Sequence, residues 1–457
     1  MSTRVVMALM MAAAVVFGQP AWAQNRHVLR VGAARVDVTP SADNLPAHYG
    51  GVLDRVYARA IVVDNGDSQL ALVTVDVISL GDEAFSRVSA AIESATGIPR
   101  DHQLIAGTGT HSVPIGGPAA GGPSAAAAVL ERRIVEAVVD ARSRLRPAAM
   151  TFGQGQSWIN VQRDRIDPAT RRWWEGPDYD GPSDKSVSVL AFNDLTGRPI
   201  AAYYNYGVFN VVTGMLDLVS GDISGAASRY IEDATGDDFV AAFALGAHGD
   251  QNPIFFNQTF ELRERRIEAY AARGEDIRIA MPPPGGTGLD RSDPVVARLM
   301  DQQKQVNAAL GLMLGEEVLR VMRDAPDGVT DADIHVARGE TQCPGRVRTN
   351  QGRGGVAGTY EDADPVTVRY GLTLIGDVAI GSVNGAPYSE IGSRLKRESP
   401  FTRTMLLTRA NGYVGYMPSD AAYGHETFAV LNTRLKPGCA ETAIVDGVLG
   451  LVPTLRY

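Results

Sequence analysis

The stretch RVYARAIVVDNGDSQLALVTVDVI, residues 55–78, decides the fold class. Its two apolar runs, 55–63 and 69–78, are separated by Asp64-Asn65-Gly66-Asp67, and this pattern is typical of a β-hairpin. Helical spacing follows over 84–96, and a short apolar run over 103–106 predicts another strand. A hairpin that is followed by a helix and a further strand predicts a mixed α/β fold.

The same alternation of short strands and longer helices continues along the chain. Further strands are predicted at 187–192, 199–206, 239–245, 366–374, 378–383 and 404–408, and helices at 125–145 and 293–323. Because no internal repeat or linker divides the sequence, we expect a single large domain over 24–457, a mixed β-sheet with flanking helices. Residues 254–292 are charged and then rich in Pro and Gly, so they form an inserted excursion. It either covers a site or is a passive surface loop.

Composition and charge exclude several classes of protein. The chain has 457 residues, of which 45% are hydrophobic and 21% charged, an ordinary globular composition that excludes disordered, collagen-like and coiled-coil proteins. Its formal net charge is −9, and it has no long run of Lys or Arg. A protein that binds nucleic acid through phosphate contacts needs such basic stretches, so we expect no nucleic-acid partner.

The N-terminus has the features of a secretory signal peptide. Arg4 precedes an apolar segment over 5–18, and Ala21-Trp22-Ala23 is a small-residue cleavage site. This apolar run is short for a bilayer span, and no later stretch is apolar enough to be a transmembrane segment. We expect a signal peptide over 1–23, cleavage after Ala23, and a periplasmic or secreted mature protein. The alternative is a retained membrane anchor.

Export changes how the two cysteines are interpreted. Cys343 and Cys439 are the only cysteines, each beside Pro and Gly, and an oxidising compartment permits a disulfide between them. The alternative is two free thiols. Two cysteines without a nearby His cluster do not make a zinc site.

Small and polar residues follow several predicted strands. Such loops begin at Gly107, Gly207, Gly246 and, after the strand at 404–408, at Asn411. In α/β sheets, ligands bind where the loops at the carboxyl ends of strands converge. Each loop alone is also ordinary turn chemistry, but four together predict a ligand site.

At this point the sequence resembles a known family, the neutral/alkaline (non-lysosomal) ceramidases. The resemblance rests on short motifs in a shared order: Val31 to Pro40, Tyr57-Ala-Arg59-Ala, Val75-Asp76, Thr110-His111-Ser112, Ser220-Gly-Asp222, Gly249-Asp250 and Asn411-Gly-Tyr413-x-x-Tyr416. It runs from about residue 29 to the C-terminus. It implies the α/β catalytic domain of that family, without the additional C-terminal domain of longer members.

The resemblance also implies chemistry that the residues do not support. Members of the family are zinc amidohydrolases of sphingolipids, with two His, one Glu and one Tyr as ligands. At the matching positions this chain has Gly109, Phe209 or Asn210, Ala386 and, for the Tyr, Tyr413 or Tyr416. Gly and Ala have no ligating side chain, so we expect the zinc site to be degenerate and no cofactor to be bound. The alternative is a zinc ion relocated to His111 and His248.

Several retained or new polar residues are candidates for catalysis. His111 matches a non-ligand His beside the reacting centre, and Arg163 an Arg that would face the polar group of the substrate. His248, Asp222 and Asp250 are potential proton-transfer groups, and Tyr413 a potential donor to an oxyanion. Each has a structural alternative: loop hydrogen bonds for the two His, helix caps or turns for the two Asp, packing for Tyr413, and a surface ion pair for Arg163.

Further residues are candidates for substrate binding. Asn210 follows the strand at 199–206, and Asn252 stands where the resemblance places a Ser. Trp173 and Trp174 are adjacent aromatics beside Arg171-Arg172, and they either bind an apolar ligand or pack under a loop.

Three functions remain open at this level. The first is a secreted hydrolase of an amide or ester bond, acting on a small-molecule or lipid-like substrate without zinc. The second is a metal-independent lyase, isomerase or cyclase that uses Asp and His as acid–base groups. The third is a ligand-binding protein without catalysis.

Overall fold

The computed structural model describes residues 28–114, 124–169, 173–277, 285–352 and 356–455. The predicted signal peptide and Arg171-Arg172 lie outside these residues. The described strands are β1 (Arg30–Asp37), β2 (Tyr57–Asp64), β3 (Gln69–Val75), β4 (Gln103–Gly107), β5 (Arg146–Gln156), β6 (Asn160–Ile166), β7 (Trp173–Asp178), β8 (Ser186–Asp194), β9 (Pro199–Tyr206), β10 (Val240–Leu245), β11 (Gln251–Pro253), β12 (Ile334–Arg348), β13 (Tyr360–Ile375), β14 (Val378–Val383), β15 (Ala386–Pro387), β16 (Arg403–Leu407) and β17 (Tyr416–Met417). The described helices are α1 (Asp82–Thr96), α2 (Ala125–Ser143), α3 (Asp222–Thr235), α4 (Asn257–Ala271), α5 (Pro294–Asp324), α6 (Ser389–Glu398), α7 (Phe428–Asn432) and α8 (Ala440–Gly450).

Two sheets form the centre of the molecule. The larger has eight strands in the order β10-β9-β8-β5-β1-β2-β3-β4, and the smaller has four in the order β12-β13-β14-β16. Most neighbours are antiparallel, but β3 with β4, β9 with β10 and β14 with β16 are parallel. Parallel neighbours need a crossover, which α1, α3 and α6 respectively provide.

The layers follow from the alternation of side chains along the strands. In β2, Ile61 and Val63 face the smaller sheet, whereas Ala60 and Val62 face α1 and α2. Helices α3 and α5 cover β8–β10 on the same side, and α6 and α8 cover the far face of the smaller sheet. The order of layers is helix, sheet, sheet, helix. Strands β2, β9, β10 and β14 are buried on both faces, so each appears in the sequence as a nearly continuous apolar run.

The hairpin around Gly66 forms as the sequence predicts. β2 and β3 pair antiparallel from Ala58↔Val75 to Asp64↔Gln69, and Gly66 adopts a φ of +89° that suits glycine. The helix predicted over 125–145 ends at Ser143, just before Pro147, which enters β5 at its second residue.

The sequence patterns missed other elements. β5, β6 and β12 were not predicted, because their faces carry many polar or half-buried residues in place of an apolar run. Helix α4 forms within the inserted excursion that was predicted at 254–292.

The disulfide prediction is confirmed. Cys343 of β12 is bonded to Cys439, the residue that precedes α8. None of the described helices combines the length and the apolar character that a bilayer crossing requires.

Candidate functional site

The loop after β16 contacts both β10 and β4. The amide of Thr408 donates to the carbonyl of Leu245, at the end of β10, over 2.8 Å. The amide of Asn411 donates to Ile105 in β4, also over 2.8 Å. Strands β4 and β10 are the two edges of the larger sheet, so residues 408–411 join edges that are far apart in the strand order. This junction is where the sequence predicted that polar loops would converge.

A cavity of about 300 Å³ opens beside this junction. It is lined by His111, Arg163, Glu175, Phe209, Val211, Gly214, Met215, Asn252, Phe256, Thr259, Arg263, Tyr416 and Phe428. Phe256, Thr259 and Arg263 belong to the excursion, whose helix α4 therefore forms one wall of the cavity. A separate recess of about 390 Å³ between α1, β12 and β13 contains none of these residues.

His111 is neutral and accessible to a ligand. Its side chain is exposed to the cavity although it lies deep in the protein, and its ring is 6.2 Å from that of Phe209. Burial, together with the positive charges of Arg409 and Arg163, lowers the pKa of His111 to about 3. An imidazole with this pKa is unprotonated at pH 7 and can only accept a proton.

His248 is neutral because both of its nitrogens are engaged. Arg409 donates from Nε to Nε2 of His248 over 3.0 Å, so Nδ1 carries the proton and donates to the Gly246 carbonyl over 2.9 Å. Burial and the charge of Arg409 lower the pKa of His248 well below its usual value. With both nitrogens used, His248 has none left for a metal ion or for proton transfer.

Arg409 is a buried cation in a strained backbone conformation. It is 2% exposed, and its φ is +50°, in the left-handed region that non-glycine residues rarely adopt. Besides His248, it donates to the carbonyl of Ile78 over 2.7 Å, and its Cζ lies 4.8 Å from the Tyr413 ring centroid. It forms no ion pair with any carboxylate in the described part of the chain. Strain of this kind is concentrated at functional sites.

Arg163 is a second buried cation, and it lines the cavity. It is 6% exposed, and its Nε and Nη2 atoms have no hydrogen-bond partner among the described residues. Its Cζ lies 4.6 Å from the Phe209 ring centroid, 5.4 Å from that of Tyr416 and 5.5 Å from that of Phe428. The surface ion pair that was the alternative interpretation of Arg163 is therefore not formed.

Asp222 and Asn210 hold the site's loops in place. The Asp222 carboxylate accepts hydrogen bonds from the amide and hydroxyl of Thr213 over 2.7 and 2.5 Å and from the amide of Ile223 over 2.9 Å. Asn210 donates to the Thr108 carbonyl over 2.6 Å and accepts from the Ser224 amide over 3.0 Å. Both side chains are fully buried and neither lines the cavity.

Asp250 is also enclosed by hydrogen-bond donors. It accepts from Gln162 over 2.7 Å and from the amide and hydroxyl of Ser389 over 2.8 and 3.0 Å. Burial raises its pKa to about 7. The carboxyl group therefore anchors α6 to β6, and it does not line the cavity.

The candidate substrate-binding residues have different positions. Asn252 lines the cavity and donates to Glu175 over 2.9 Å. Trp173 is buried and donates to Asp164 over 2.8 Å, so it packs beneath the site. Trp174 is 47% exposed and lies under Arg165, away from the cavity lining. Tyr413, whose pKa burial raises, contacts Arg409.

The positions where the resemblance places zinc ligands surround Arg409. A Cβ added to Gly109 would lie 3.9 Å from Nε of Arg409, and the Arg409 amide donates to the Gly385 carbonyl, next to Ala386, over 2.9 Å. The Arg409 Cζ is 5.9 Å from the Phe209 ring centroid. Within residues 28–114, 124–169, 173–277, 285–352 and 356–455, no group of three or more His, Cys, Asp or Glu is placed to hold a metal ion.

The sequence did not single out all of the residues in this site. Arg409, Glu175, Arg263 and Phe428 come from separate parts of the chain, and no local motif contains more than one of them. Arg409 alone left a signal, since it is a charged residue between an apolar strand and Asn411-Gly412.

A family model agrees with the resemblance seen in the sequence. The model described as neutral/alkaline non-lysosomal ceramidase, N-terminal, matches residues 31–313. Neutral ceramidases A and B of Dictyostelium discoideum are each 28% identical to the chain, over 254 and 257 residues respectively. Each match covers 49% of this chain and 36% or 35% of the relative, so the matched region spans about a third of the length of these curated relatives.

Two solved structures share the fold. A ceramidase complexed with C2 and the neutral ceramidase from Pseudomonas aeruginosa both superpose with a TM-score of 0.70. They cover 94% of this chain and 76% and 75% of their own chains, at 17% and 18% identity. At this identity the likeness concerns the fold, and it confirms the predicted mixed α/β domain.

Proposed function

The chain belongs to the neutral/alkaline non-lysosomal ceramidase family, and we propose that it is a hydrolase of an amide or ester bond that works without zinc. Family membership implies a hydrolase, whereas the degenerate site, the small-molecule or lipid-like substrate and the export of the protein are our proposals. One observation carries the proposal: the guanidinium of Arg409 lies among the positions where the family resemblance places the metal ligands.

The residues at these positions do not fit a zinc ion. Gly109, Phe209 and Ala386 have no ligating atom in their side chains, and one phenol such as Tyr413 does not hold Zn²⁺. The positive charge of Arg409 repels a second cation at the same place. A site relocated to His111 and His248 would need a free nitrogen on His248, and both of its nitrogens are engaged.

A fixed guanidinium provides part of what a metal provides in a hydrolase. In hydrolysis, a water oxygen attacks the acyl carbon, and negative charge develops on the carbonyl oxygen. Burial lowers the pKa of His111, and the charge of Arg409 lowers it further, which supports an electrostatic effect of Arg409 at the end of the cavity where His111 lies. Arg409 does not line the cavity, so we propose that its fixed charge stabilises the negative charge that develops there electrostatically, without direct contact with the oxyanion.

His111 is the proposed general base. It accepts a proton from the attacking water as the new C–O bond forms, and it returns that proton to the leaving nitrogen or oxygen as the scissile bond breaks. Its low pKa makes it a weak base in the free protein. Because the developing oxyanion offsets the two arginine charges that lower this pKa, oxyanion formation and proton uptake by His111 assist each other.

The two alternative functions are affected differently by the geometry. A metal-independent lyase or isomerase was expected to use Asp222, His248 and Asp250, but each is held by hydrogen bonds and none lines the cavity. A binding protein without catalysis is favoured by one observation, the weak basicity of His111. It is our second candidate.

The proposal is tested with purified protein and chromogenic amide and ester substrates. We expect hydrolysis that is unchanged by a zinc chelator. Arg409→Met, which removes the charge and keeps much of the volume, should lower kcat/KM by at most about a hundredfold, the smallest effect of losing a donor in direct contact with the oxyanion. Arg409→Lys should restore part of the activity.

Arg403→Met is the matched control, because Arg403 precedes the same loop and pairs with Asp377 at the surface. Its kcat/KM should equal that of the wild type. Stoichiometric zinc with chelator-sensitive turnover would refute the proposal. Absence of turnover on every substrate, with binding retained, would select the binding protein.

A further inference from the structure

Among the described residues, no carboxylate forms an ion pair with Arg163. The residue is only 6% exposed, and its Nε and Nη2 lack acceptors within the described residues. Nε and Nη2 together form one edge of the planar guanidinium, the edge that pairs with both oxygens of an oxyanion. A buried charge in this state is costly, so proteins ordinarily pair it.

The nearest carboxylates are already occupied. Asp164 accepts from Trp173 over 2.8 Å and from the Tyr388 hydroxyl over 2.6 Å. Glu175 accepts from Arg263 over 2.6 Å and from Asn252 over 2.9 Å. Neither forms an ion pair with Arg163, although both lie close enough to influence its charge electrostatically.

Aromatic rings hold the guanidinium without satisfying its donors. Phe209, Tyr416 and Phe428 place their rings 4.6–5.5 Å from its Cζ, which fixes its position and offsets some of its charge. The N–H bonds lie in the plane of the guanidinium, so stacked rings cannot accept all of them as oxygen atoms would. Arg163 is thus a fixed cation to which no anion of the described residues is paired.

The shape and charge of the cavity restrict the ligand. At about 300 Å³ the cavity is at the small end of ligand sites, so it holds a small molecule or one end of a larger one. Two arginines, Arg163 and Arg263, line the cavity with one carboxylate, Glu175, and Arg409 lies behind Phe209, so the charge around the cavity is positive.

We propose that the cavity binds an acyl compound through a carboxylate or phosphate group that pairs with Arg163. The acyl character of the ligand rests on the proposed function, whereas the anionic group rests on Arg163 alone. Arg163 then recognises the permanent charge of the substrate, and Arg409 remains available for the charge that develops during hydrolysis.

The test is isothermal titration calorimetry with matched pairs of probes. N-acetylglycine is compared with N-acetylglycinamide, and N-acetylethanolamine phosphate with N-acetylethanolamine. Because a charge-assisted pair replaces a neutral contact, we expect the anionic member of at least one pair to bind the wild type about tenfold more tightly. The pair with the larger preference identifies carboxylate or phosphate as the source.

Two variants test whether Arg163 causes the preference for the anionic probe. Arg163→Gln should abolish the preference for the anion, whereas Arg165→Gln should keep it, because Arg165 lies two residues along β6 with an exposed side chain. Equal binding of charged and neutral probes by the wild type would overturn the proposal even if Arg163→Gln did not fold. So would a preference that survives in a folded Arg163→Gln protein.

The two proposals fail in different ways. Hydrolysis that is equally fast for neutral and anionic substrates, without preferential anion binding, would refute this inference and leave the proposed function intact. Tight anion binding without any turnover would refute the proposed function and leave this inference intact.

Discussion

Burial and the charges of two arginines keep two histidines of the candidate site neutral. Arg409 donates to His248 directly, and Arg409 and Arg163 act together on His111 through their charges. Neither arginine forms an ion pair with a carboxylate among the described residues. A cationic site that excludes protonated imidazole also disfavours a metal ion, which is why we place the electrophile on Arg409.

This arrangement predicts two histidines that do not titrate in the usual range. In histidine Cε1–H NMR spectra, we expect the signals of His111 and His248 to stay at their neutral positions between pH 8 and pH 5. The reason is that burial and the arginine charges lower both pKa values, that of His111 to about 3. The His111→Gln variant assigns the first signal. A His111 midpoint near pH 6.5 would contradict the positive potential that we infer in the cavity.

The same shift affects stability in acid. The pKa of His111 is about 3 in the folded protein and 6.5 without these surroundings, so the unfolded chain binds the proton more readily. The stability that comes from neutral His111 is therefore present above about pH 6.5 and is lost as the pH falls from there towards 3.

At the scale of elements, a buried ionic cluster joins strand, helix and site loop. Arg59 of β2 donates to Glu232 of α3 over 2.8 Å and to Asp76 over 3.0 Å. Asp76 also accepts from Thr108, in the loop that leads to His111, over 3.2 Å. Asp76 therefore has a structural role, and Asp37 has one too, since it accepts from the amide of Thr39 over 2.8 Å.

Breaking this cluster should destabilise the whole protein. Arg59→Met leaves buried Asp76 without its ion-pair partner and leaves Glu232 paired with Arg35 alone, so we expect the free energy of unfolding to fall by about 3–5 kcal/mol in urea denaturation. Arg87→Met is the control, because Arg87 pairs with Glu131 on the surface of α1 and α2, where water screens the pair and leaves it little effect on stability. Equal losses in the two variants would show that burial does not decide the strength of these pairs.

At the scale of the molecule, the disulfide joins the smaller sheet to the helix that covers it. It closes a separation of 96 residues between Cys343 and Cys439. Such a covalent link mainly restricts the unfolded chain, and it fits our proposal that the protein is exported to an oxidising compartment.

Removal of the disulfide should therefore lower stability without changing the site. The Cys343→Ala/Cys439→Ala variant should lose about 2–5 kcal/mol of unfolding free energy. A reducing agent should lower the melting temperature of the wild type and leave that of the variant unchanged. If the reducing agent lowers the melting temperatures of both proteins equally, reduction of the disulfide is not the cause of the loss of stability.

The sequence by itself determined the elements that carry strong local signals. The hairpin at Gly66, the strands that are buried on both faces, the long helix α5 and the family motifs all depend on neighbouring residues, so they can be identified without knowing the fold. The pairing of Cys343 with Cys439 was also predictable, because the chain has only two cysteines.

Only the tertiary structure decided what the polar residues do. Asp222 and Asp250 look like proton-transfer groups in the sequence, but their surroundings supply hydrogen-bond donors that hold them in place. Arg409 belongs to no sequence motif. The junction of β4, β10 and β16 nevertheless buries it among the positions where the family resemblance places zinc ligands. Burial, hydrogen bonds and electrostatic potential depend on residues that are distant in the chain, so no local pattern encodes them.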